Sequence, residues 1–364
     1  MSTVNTIIVG GGIAGLYCAW RLRQLNIAFI LLEAKPTLGG RIQSKVVANN
    51  ATLSVDLGPT WFWPHQKKMQ KLLKELDVDW FEQYTRGDVL YQLRENQAVT
   101  RTSGSDVMLS YRITGGTQKL ITALSKKAGS ENIKTTHPVT DIEHDQGQWT
   151  LSIDSSGSSP VFKSQRLIMA VPPRIASHLL TSKNIVCTQL TTLLDKQQTW
   201  MSGQAKFVAV YEQPFWRQQG LAGQAFSQIG PMVEIHDASA TRDQGFALFG
   251  FIGLPYSVRL QLTKQQLELA CVEQLAALFG EQAAKPTRVY LTDWAKDKWV
   301  ATAQDIAEPP KHAELNLSRY QQQLKQLKLY FVASEYAQVE AGYLEGALTA
   351  VEAALNDISR DTMP

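Results

Sequence analysis

Three glycines near the start of the chain have a spacing that suits a pyrophosphate. Gly10, Gly12 and Gly15 form G-x-G-x-x-G in "TIIVGGGIAGLYCAW". In this pattern the first glycine allows a tight turn, the second lets the backbone approach a pyrophosphate, and the third lets a helix pack closely on a strand. Glu33 follows the next apolar segment, where a carboxylate can accept hydrogen bonds from an adenosine ribose. These residues indicate dinucleotide binding, and a purely structural glycine turn is the alternative.

The elements around the glycines have the order that such a site needs. Residues 6–9 and 28–32 predict two apolar strands, and the segment between them predicts a helix with Leu16, Ala19 and Leu22 on its inner side. The segment therefore predicts a βαβ unit. Its expected cofactor-binding residues are Gly10, Gly12, Ile13, Ala14, Gly15, Glu33 and Ala34.

Arg41 is a second candidate for contact with phosphate. It follows two glycines in "LGGRIQS", which let the backbone fold over a phosphate, and a guanidinium can bind pyrophosphate oxygens in bidentate fashion. An ordinary surface arginine is the alternative.

Two further glycines, Gly342 and Gly346, lie on either side of the start of the helix predicted to begin near Tyr343 in "EAGYLEGAL". Glycine in a helix interior costs about 1 kcal/mol relative to alanine. Because the two are four residues apart, they share one face. Either another helix packs tightly there, or a flat and rigid group lies against the first helical turn.

Composition excludes several other classes. The 364 residues are 44% hydrophobic, and 36 basic against 33 acidic residues leave a net charge of +3. No dense Lys/Arg block is present, so we expect no nucleic-acid partner. Cys18, Cys187 and Cys271 are far apart and the six histidines are scattered, so neither a disulfide framework nor a metal site is expected. With no leader pattern and no apolar run of about 20 residues, we expect a cytoplasmic protein without a membrane segment.

The chain as a whole resembles the flavin-containing amine oxidases, a family that includes monoamine, polyamine and L-amino-acid oxidases. The resemblance rests on "EAKPTLGGRI", "VDLGPTWFWP", "GGTQKLITAL", "HPVTDIE", "LIMAVPP", "KFVAVYEQPFW", "DWAKDKW" and "EAGYLEGA", which occur in the family's order and span nearly the whole sequence. The resemblance implies FAD as the cofactor. It also answers the question of Gly342, which would let the backbone approach the flavin while the following helix directs its N-terminus at the pyrimidine end of the ring. Close helix packing is the alternative there.

The resemblance implies further cofactor contacts. Backbone around Gly58 and Thr60 would lie along the isoalloxazine ring, and Val139 would contact adenine through its main chain. Glu335 would lie near the ribityl and phosphate groups. Trp294 would pack beside the flavin, with ordinary core packing as its alternative. The full set of these residues is Gly58, Thr60, Val139, Trp294, Glu335, Gly342 and Leu344.

Three residues carry the implied chemistry. Lys206 falls at the family lysine that reaches flavin N5 through a water and is associated with reoxidation by oxygen. Without the resemblance, a lysine inside a β-branched strand is more typical of a solvent-facing residue. Trp299 and Tyr343 fall at two aromatic positions that face each other across the substrate amine. Core packing is the alternative for Trp299 and Tyr343. For two other tryptophans, Trp200 and Trp216, we expect core packing.

The cysteine to which monoamine oxidases attach their flavin would fall near Ala303, and no cysteine is close in sequence. We therefore expect non-covalent FAD.

The expected fold is α/β with interleaved domains. An FAD-binding Rossmann-like domain, a parallel sheet plus a hairpin around a Ser/Gly turn, uses residues 1–67, 112–190 and 290–364. A smaller α+β substrate domain uses residues 68–111 and 191–289.

The implied function is an FAD-dependent amine oxidase. It would oxidise the CH–NH bond of a small amine to an imine by hydride transfer to flavin N5, and oxygen would reoxidise the flavin to give hydrogen peroxide. A desaturase, a renalase-like dihydronicotinamide oxidase and a non-enzymatic redox-sensing flavoprotein are the alternatives. Amino-acid substrates would need an arginine for the carboxylate, and Arg86, Arg94, Arg101 and Arg112 match no motif, so amines and amino acids both remain open.

Overall fold

A computed structural model describes residues 2–47, 50–95, 97–104, 108–154, 160–181 and 183–362. The strands are β1 Ser2–Val9, β2 Phe29–Leu32, β3 Ser44–Val47, β4 Asn50–Asp56, β5 Trp80–Glu82, β6 Asp88–Gln92, β7 Thr100–Ser103, β8 Tyr111–Ile113, β9 Ile133–Lys134, β10 Val139–Asp145, β11 Gln148–Ile153, β12 Val161–Met169, β13 Ala205–Val210, β14 Leu221–Ser227, β15 Met232–Asp237, β16 Ala247–Ile252, β17 Arg288–Asp293 and β18 Leu329–Phe331. The α-helices are α1 Ile13–Gln24, α2 Lys67–Glu75, α3 Gln118–Ala128, α4 Pro173–Thr181, α5 Thr188–Asp195, α6 Phe215–Gln218, α7 Tyr256–Arg259, α8 Lys264–Phe279, α9 Ala303–Ala307, α10 Gln321–Leu327 and α11 Leu344–Thr362. Single 3₁₀ turns cover Ser130–Asn132, Glu281–Ala284, Trp294–Lys296, Ser318–Tyr320 and Ser334–Tyr336.

The first sheet contains the predicted βαβ unit. Its order is β10-β11-β12-β1-β2-β9, and β18 pairs in parallel with the end of β12, beyond the part that pairs with β11. Strand β1 pairs in parallel with both β2 and β12. All four residues of β2 are buried, as in a parallel strand covered on both faces. β11 and β12 form the predicted antiparallel hairpin. The Ser/Gly turn at 155–159 lies outside the described residues.

Helices cover both faces of this sheet because β1 points apolar side chains to each side. Ile8 packs with α1, α2, α3 and α11, and Ile7 and Val9 pack with α4 and α5. Among the described residues, no helix is both long and apolar enough to cross a bilayer.

The second sheet has the order β17-β13-β16-β15-β14-β6-β7 and is antiparallel except between β14 and β6. It packs against α8, whose Leu267, Cys271 and Leu275 join a core with Phe207 and Leu248. Helix α8 ends at Phe279 with Gly280 as its C-cap, and a Thr263 capping box begins it.

The two sheets shift two of the expected domain boundaries. Strand β17 starts at Arg288 and pairs along β13 as far as Asp293, although residues 290–293 were assigned to the FAD-binding domain. Leu194 of α5 packs in the core of the first sheet, although it was assigned to the substrate domain. Residues 290–293 join the second sheet because β17 pairs with the edge of β13. Helix α5 joins the first sheet because its apolar face is buried there. We therefore propose the same interleaved division with boundaries near 195 and 294.

Candidate functional site

A cavity of about 620 Å³ is lined by residues of both sheets. Of the residues predicted from the sequence, those that line it are Gly10, Gly12, Ile13, Ala14, Glu33, Ala34, Arg41, Gly58, Thr60, Val139, Lys206, Trp294, Trp299, Gly342, Tyr343 and Leu344. Gly15 and Glu335 are not among the lining residues. The fold thus brings nearly all of the predicted residues to one place.

The glycine turn forms a cradle at the start of α1. Gly10 has φ of 109°, and a Cβ there would lie 2.5 Å from the Ala170 carbonyl oxygen. A Cβ on Gly15 would lie 1.9 Å from the Gly10 oxygen, so this glycine serves close packing. Gly12 caps α1, and a Cβ there would make only ordinary contacts, 3.8 Å from the Gly39 carbonyl oxygen. The first N–H groups of a helix have no acceptor within that helix, and those of α1 begin at the cavity wall. This end of the cavity therefore fits a pyrophosphate.

Glu33 lies at the end of β2 with its carboxylate held in place. Its Oε2 accepts from the Gly11 N–H at 2.6 Å, and its Oε1 accepts from the Lys35 N–H at 2.8 Å. Burial raises the pKa of this carboxyl, against the lowering effect of the two backbone donors. Because each carboxylate oxygen has two lone pairs, acceptor capacity remains for ribose hydroxyls.

Arg41 lines the cavity, but a protein carboxylate holds its guanidinium. Nη1 and Nη2 bind the two oxygens of Glu335 at 2.6 and 2.9 Å, and they also donate to the Trp200 carbonyl and the Ser334 hydroxyl. Glu335 is fully buried. Burial alone would raise its pKa, but the Arg41 charge outweighs that effect and lowers it. A buried carboxylate requires a paired cation, and Arg41, which lines the cavity, supplies it. The place of Glu335 near the ribityl and phosphate groups stays a prediction.

Lys206 is not a solvent-facing strand residue. All six residues of β13 are buried, and Lys206 is 2% exposed. Its Nζ donates to the Gly58 carbonyl at 3.1 Å and to the Thr60 hydroxyl, and it lies 4.0 Å from the centre of the Phe249 ring. Burial lowers the pKa of Lys206 to about 7, with Asp56 acting in the opposite direction. The amine is therefore poised to exchange a proton near neutral pH.

Tyr343 belongs to an aromatic wall of the cavity. Its ring centre lies 5.4 Å from Trp63, 6.3 Å from Trp200 and 5.2 Å from His312. Trp299 lines the same cavity. Among the described residues no ring contact joins Trp299 to Tyr343, so their pairing across a substrate stays a prediction.

Trp200 was wrongly assigned to core packing. It is half-buried, lines the cavity and stacks on His312 with ring centres 3.5 Å apart. Both residues lie in irregular segments, where no periodic pattern marks an inward face. Trp216, by contrast, is fully buried in the core of the second sheet, as expected.

The two C-terminal glycines serve different purposes. Gly342 has φ of 88° and lines the cavity, and a Cβ there would lie 2.8 Å from the Cβ of Trp200. A Cβ on Gly346 would lie 2.1 Å from the Glu340 carbonyl oxygen. Close packing therefore explains Gly346, while a left-handed backbone next to the cavity explains Gly342. Helix α11 begins two residues after Gly342, so its N-terminus adjoins the cavity.

Two buried residues, Val139 and Trp294, also line the cavity. Val139 is 7% exposed at the start of β10. Trp294 is 8% exposed, and its Nε1 donates to the Leu57 carbonyl at 3.2 Å. Both meet the cavity with part of their surface, so neither is wholly a core residue.

The four arginines considered for a substrate carboxylate lie elsewhere. Arg112 is buried and paired with Asp56 at 3.5 Å, Arg101 binds Asp88, and Arg86 and Arg94 are not among the lining residues. A carboxylate that sequence reasoning missed, that of Glu234, does line the cavity. Buried and exposed residues do not alternate regularly along β15, so the pattern of this strand gives no sign of it.

The sequence and the fold of the chain are both similar to those of known flavoenzymes. Residues 91–355 match the family model of flavin containing amine oxidoreductases, and residues 8–76 match that of the NAD(P)-binding Rossmann-like domain. The chain is 22% identical to a probable flavin-containing monoamine oxidase A of Dictyostelium discoideum over 96% of both chains, and 22% identical to putrescine oxidase of Kocuria rosea over 82% of this chain and 84% of that one. A structure of putrescine oxidase bound to putrescine superposes with a TM-score of 0.81 at 19% identity, over 98% of this chain and 99% of that one.

The family model covers most of the chain and confirms the expected resemblance, the α/β fold with a Rossmann-like part, and FAD as the cofactor. It also confirms an oxidoreductase acting on CH–NH bonds and does not favour the desaturase or dihydronicotinamide alternatives. The chain belongs to the family of flavin containing amine oxidoreductases.

Proposed function

We propose that this protein oxidises a small primary amine to an imine and passes the electrons to oxygen, giving hydrogen peroxide. FAD, when bound, supplies the two-electron acceptor for the CH–NH bond. The observation that carries the proposal is a buried lysine, Lys206, facing the same cavity as the aromatic wall around Tyr343, with a dinucleotide cradle at the other end.

The residues present suit non-covalent FAD. The N-terminus of α1 and Arg41 would receive the pyrophosphate, and Glu33 the adenosine ribose. Gly58, Thr60, Val139, Trp294, Gly342 and Leu344 would line the remaining walls. Of the three cysteines, none is among the residues that line the cavity, which supports a dissociable cofactor.

The aromatic wall would bind and orient the amine. Aromatic faces attract ammonium groups at about 0.5 to 2 kcal/mol per contact. Tyr343 and Trp299 would orient the bound amine, which must give up its ammonium proton before it loses a hydride equivalent. Lys206, hydrogen-bonded to Gly58 and Thr60, would hold a proton and a water during reoxidation.

Charge in the cavity favours amines over amino acids. The cations that line the cavity are Lys35, Arg41 and Lys206. Lys35 is paired with Asp297 at 2.7 Å, and Arg41 is paired with Glu335. Neither is free to bind the carboxylate of an amino acid. Lys206, whose pKa burial lowers to about 7, donates to Gly58 and Thr60.

An anaerobic titration of the FAD-loaded protein tests the proposal. Primary amines, diamines and L-amino acids would be added in turn while the visible flavin spectrum is followed. We expect amines to bleach the flavin and amino acids to leave it oxidised. Bleaching by amino acids alone would overturn the substrate class, and an oxidised spectrum with every amine would overturn the oxidase activity.

A further inference from the structure

His312 connects two aromatic side chains of the cavity wall without lining the cavity itself. Its ring is stacked on that of Trp200, with centres 3.5 Å apart and planes inclined by 20°, and its centre lies 5.2 Å from that of Tyr343. Trp200 and Tyr343 line the cavity, whereas His312 is not among the lining residues. A change at His312 therefore removes no surface from the cavity and acts on a bound amine through the groups that it touches.

Two glutamine side chains fix the irregular segment that carries His312. The Lys311 N–H donates to Oε1 of Gln198 at 2.6 Å. The Glu314 N–H donates to Oε1 of Gln197 at 3.0 Å. Both glutamines are buried, and they lie two and three residues before the stacked tryptophan in the chain. The two rings are therefore kept together by their backbone anchors as well as by the stack itself.

The hydrogen bonds of His312 determine which of its ring nitrogens carries a proton. Its Nδ1 lies 3.0 Å from the Ala341 carbonyl oxygen, which can only accept, so Nδ1 is protonated and donates. In the neutral ring Nε2 then has a lone pair, and it lies 3.4 Å from the Tyr343 hydroxyl. Burial raises the pKa of Tyr343, and the charge of Glu340 adds to this effect, so the hydroxyl keeps its proton. The hydroxyl therefore donates to Nε2, in a long hydrogen bond that directs Tyr343 towards His312.

The main chain of Trp200 is fixed separately from its ring. Its N–H donates to Oε1 of Glu335 at 3.1 Å, and its carbonyl accepts from Nη1 of Arg41 at 3.2 Å. With the backbone held, rotation about the side-chain bonds could still turn the indole ring to another rotamer. The stack with His312 opposes that rotation, because offset-stacked rings attract each other beyond their burial of apolar surface. His312 therefore selects one orientation of this part of the cavity wall.

We propose that His312 is a positioning residue, which holds the Trp200 ring and the Tyr343 hydroxyl in the orientation that presents an amine to the flavin. This inference rests on the amine oxidase activity proposed above and adds to it a residue that does not touch the substrate. A displacement of about 1 Å can cost about a hundredfold in rate, while the contacts that bind the alkyl part of the amine persist. Loss of His312 should therefore slow flavin reduction more than it weakens amine binding.

Substitutions that keep one contact of His312 and remove the other test the proposal. His312→Phe keeps a ring to stack on Trp200 and removes the acceptor for Tyr343, whereas His312→Gln keeps an acceptor oxygen and removes the ring. Anaerobic flavin reduction by a series of primary amines would be followed by stopped-flow absorbance in the FAD-loaded proteins. We expect the limiting rate at saturating amine to fall about tenfold in each variant, and about a hundredfold in His312→Ala, which loses both contacts. His178→Phe, at an exposed histidine on α4, is the matched control and should keep the wild-type rate.

Amine affinity would be measured without turnover. An amine with no hydrogen on the carbon beside nitrogen, tert-butylamine, cannot reduce the flavin, so the change that it causes in the flavin absorbance reports binding alone. We expect its Kd to change less than about threefold in His312→Phe and His312→Gln, since orientation rather than contact is lost. A Kd raised about tenfold together with an unchanged limiting rate would mean that His312 serves binding, and the proposal would fail.

A double-mutant cycle separates positioning from a general loss of structure. Tyr343→Phe removes the hydroxyl that His312 holds, and its limiting rate should fall about as far as that of His312→Phe. Adding His312→Phe to Tyr343→Phe should then change the rate by less than about twofold, because the contact is already absent. Two independent effects would multiply instead, and that result would overturn the action of His312 through the hydroxyl. If a His312 variant does not retain FAD, Tyr343→Phe alone still decides, since an unchanged rate excludes a role for this contact.

The outcomes also distinguish this inference from the proposed function. If amines reduce the wild-type flavin and the His312 variants keep the wild-type limiting rate, the positioning role is overturned while the oxidase activity stands. If no amine reduces the wild-type flavin, the proposed function fails, and this inference fails with it.

Discussion

Lys206 shows how one buried residue makes stability depend on pH. Its folded pKa of about 7 lies below the ordinary value of 10.5, so between these values the unfolded chain binds more protons and stability rises with pH. Relative to Lys206→Met, the wild type should gain about 2 kcal/mol of unfolding free energy between pH 6 and pH 9. Urea unfolding of both proteins at saturating FAD measures this gain.

The control for that comparison is Lys45→Met, at an exposed lysine in a strand. It should show the pH dependence of the wild type. Equal pH dependence in Lys206→Met and the wild type would mean that Lys206 is solvated in the folded protein.

The Lys206→Met substitution also tests the role of Lys206 in reoxidation. Removing the Nζ group should slow reaction of the reduced flavin with oxygen by at least about tenfold, because a positioned proton donor is lost. FAD should stay bound, and amine-driven reduction should persist. Mixing the photoreduced protein with oxygenated buffer and following the return of flavin absorbance gives the rate. An unchanged rate would remove the assigned role.

At the scale of elements, the turn before α11 depends on Gly342. Gly342→Ala meets two obstacles, a positive φ and the Trp200 side chain at 2.8 Å. We expect a loss of about 3 kcal/mol of unfolding free energy, together with weaker FAD binding.

Gly147→Ala is the matched control. This glycine also has positive φ, 77°, but a Cβ there has nothing within 4 Å. It should cost about 1 kcal/mol from backbone strain alone and leave FAD affinity unchanged. Urea unfolding and flavin titration measure both effects, and equal losses in the two variants would show that Trp200 moves aside.

The elements that could be predicted from sequence are those in which several local signals agree. For β1, α1 and β2, the apolar strands, the glycine turn and the terminal acid all indicate one structure, and the start of α11 was found for similar reasons. Trp200, which lines the cavity, and His312, which stacks on it, could not be found, since each lies in an irregular segment whose position depends on tertiary packing. Glu234 escaped notice because strand register, which sets its place beside Phe251, is determined by pairing between distant segments.

At the scale of the whole molecule, FAD would lie between the two sheets and stabilise both. A ligand that binds only the folded state adds about 2.7 kcal/mol at a hundred times its Kd. Added FAD should therefore raise the thermal midpoint of the apoprotein, and Glu33→Gln should reduce that rise at equal FAD concentration. Differential scanning calorimetry measures both.

Acid denaturation followed by filtration should release all of the flavin, and flavin retained with the protein would contradict the non-covalent proposal.

The order in which the cavity walls occur along the chain has a consequence for synthesis. Strand β1 emerges first, but one of its two partners, β12, ends only at Met169, and the last lining residue is Ala347. During translation the apolar faces of β1 and α1 therefore stay unpacked until segments far along the chain have been synthesised. Long-range pairing folds slowly, and exposed strands aggregate. We expect the nascent chain to acquire FAD only after α11 has left the ribosome, so that the yield of holoprotein depends on translation rate and on the supply of FAD.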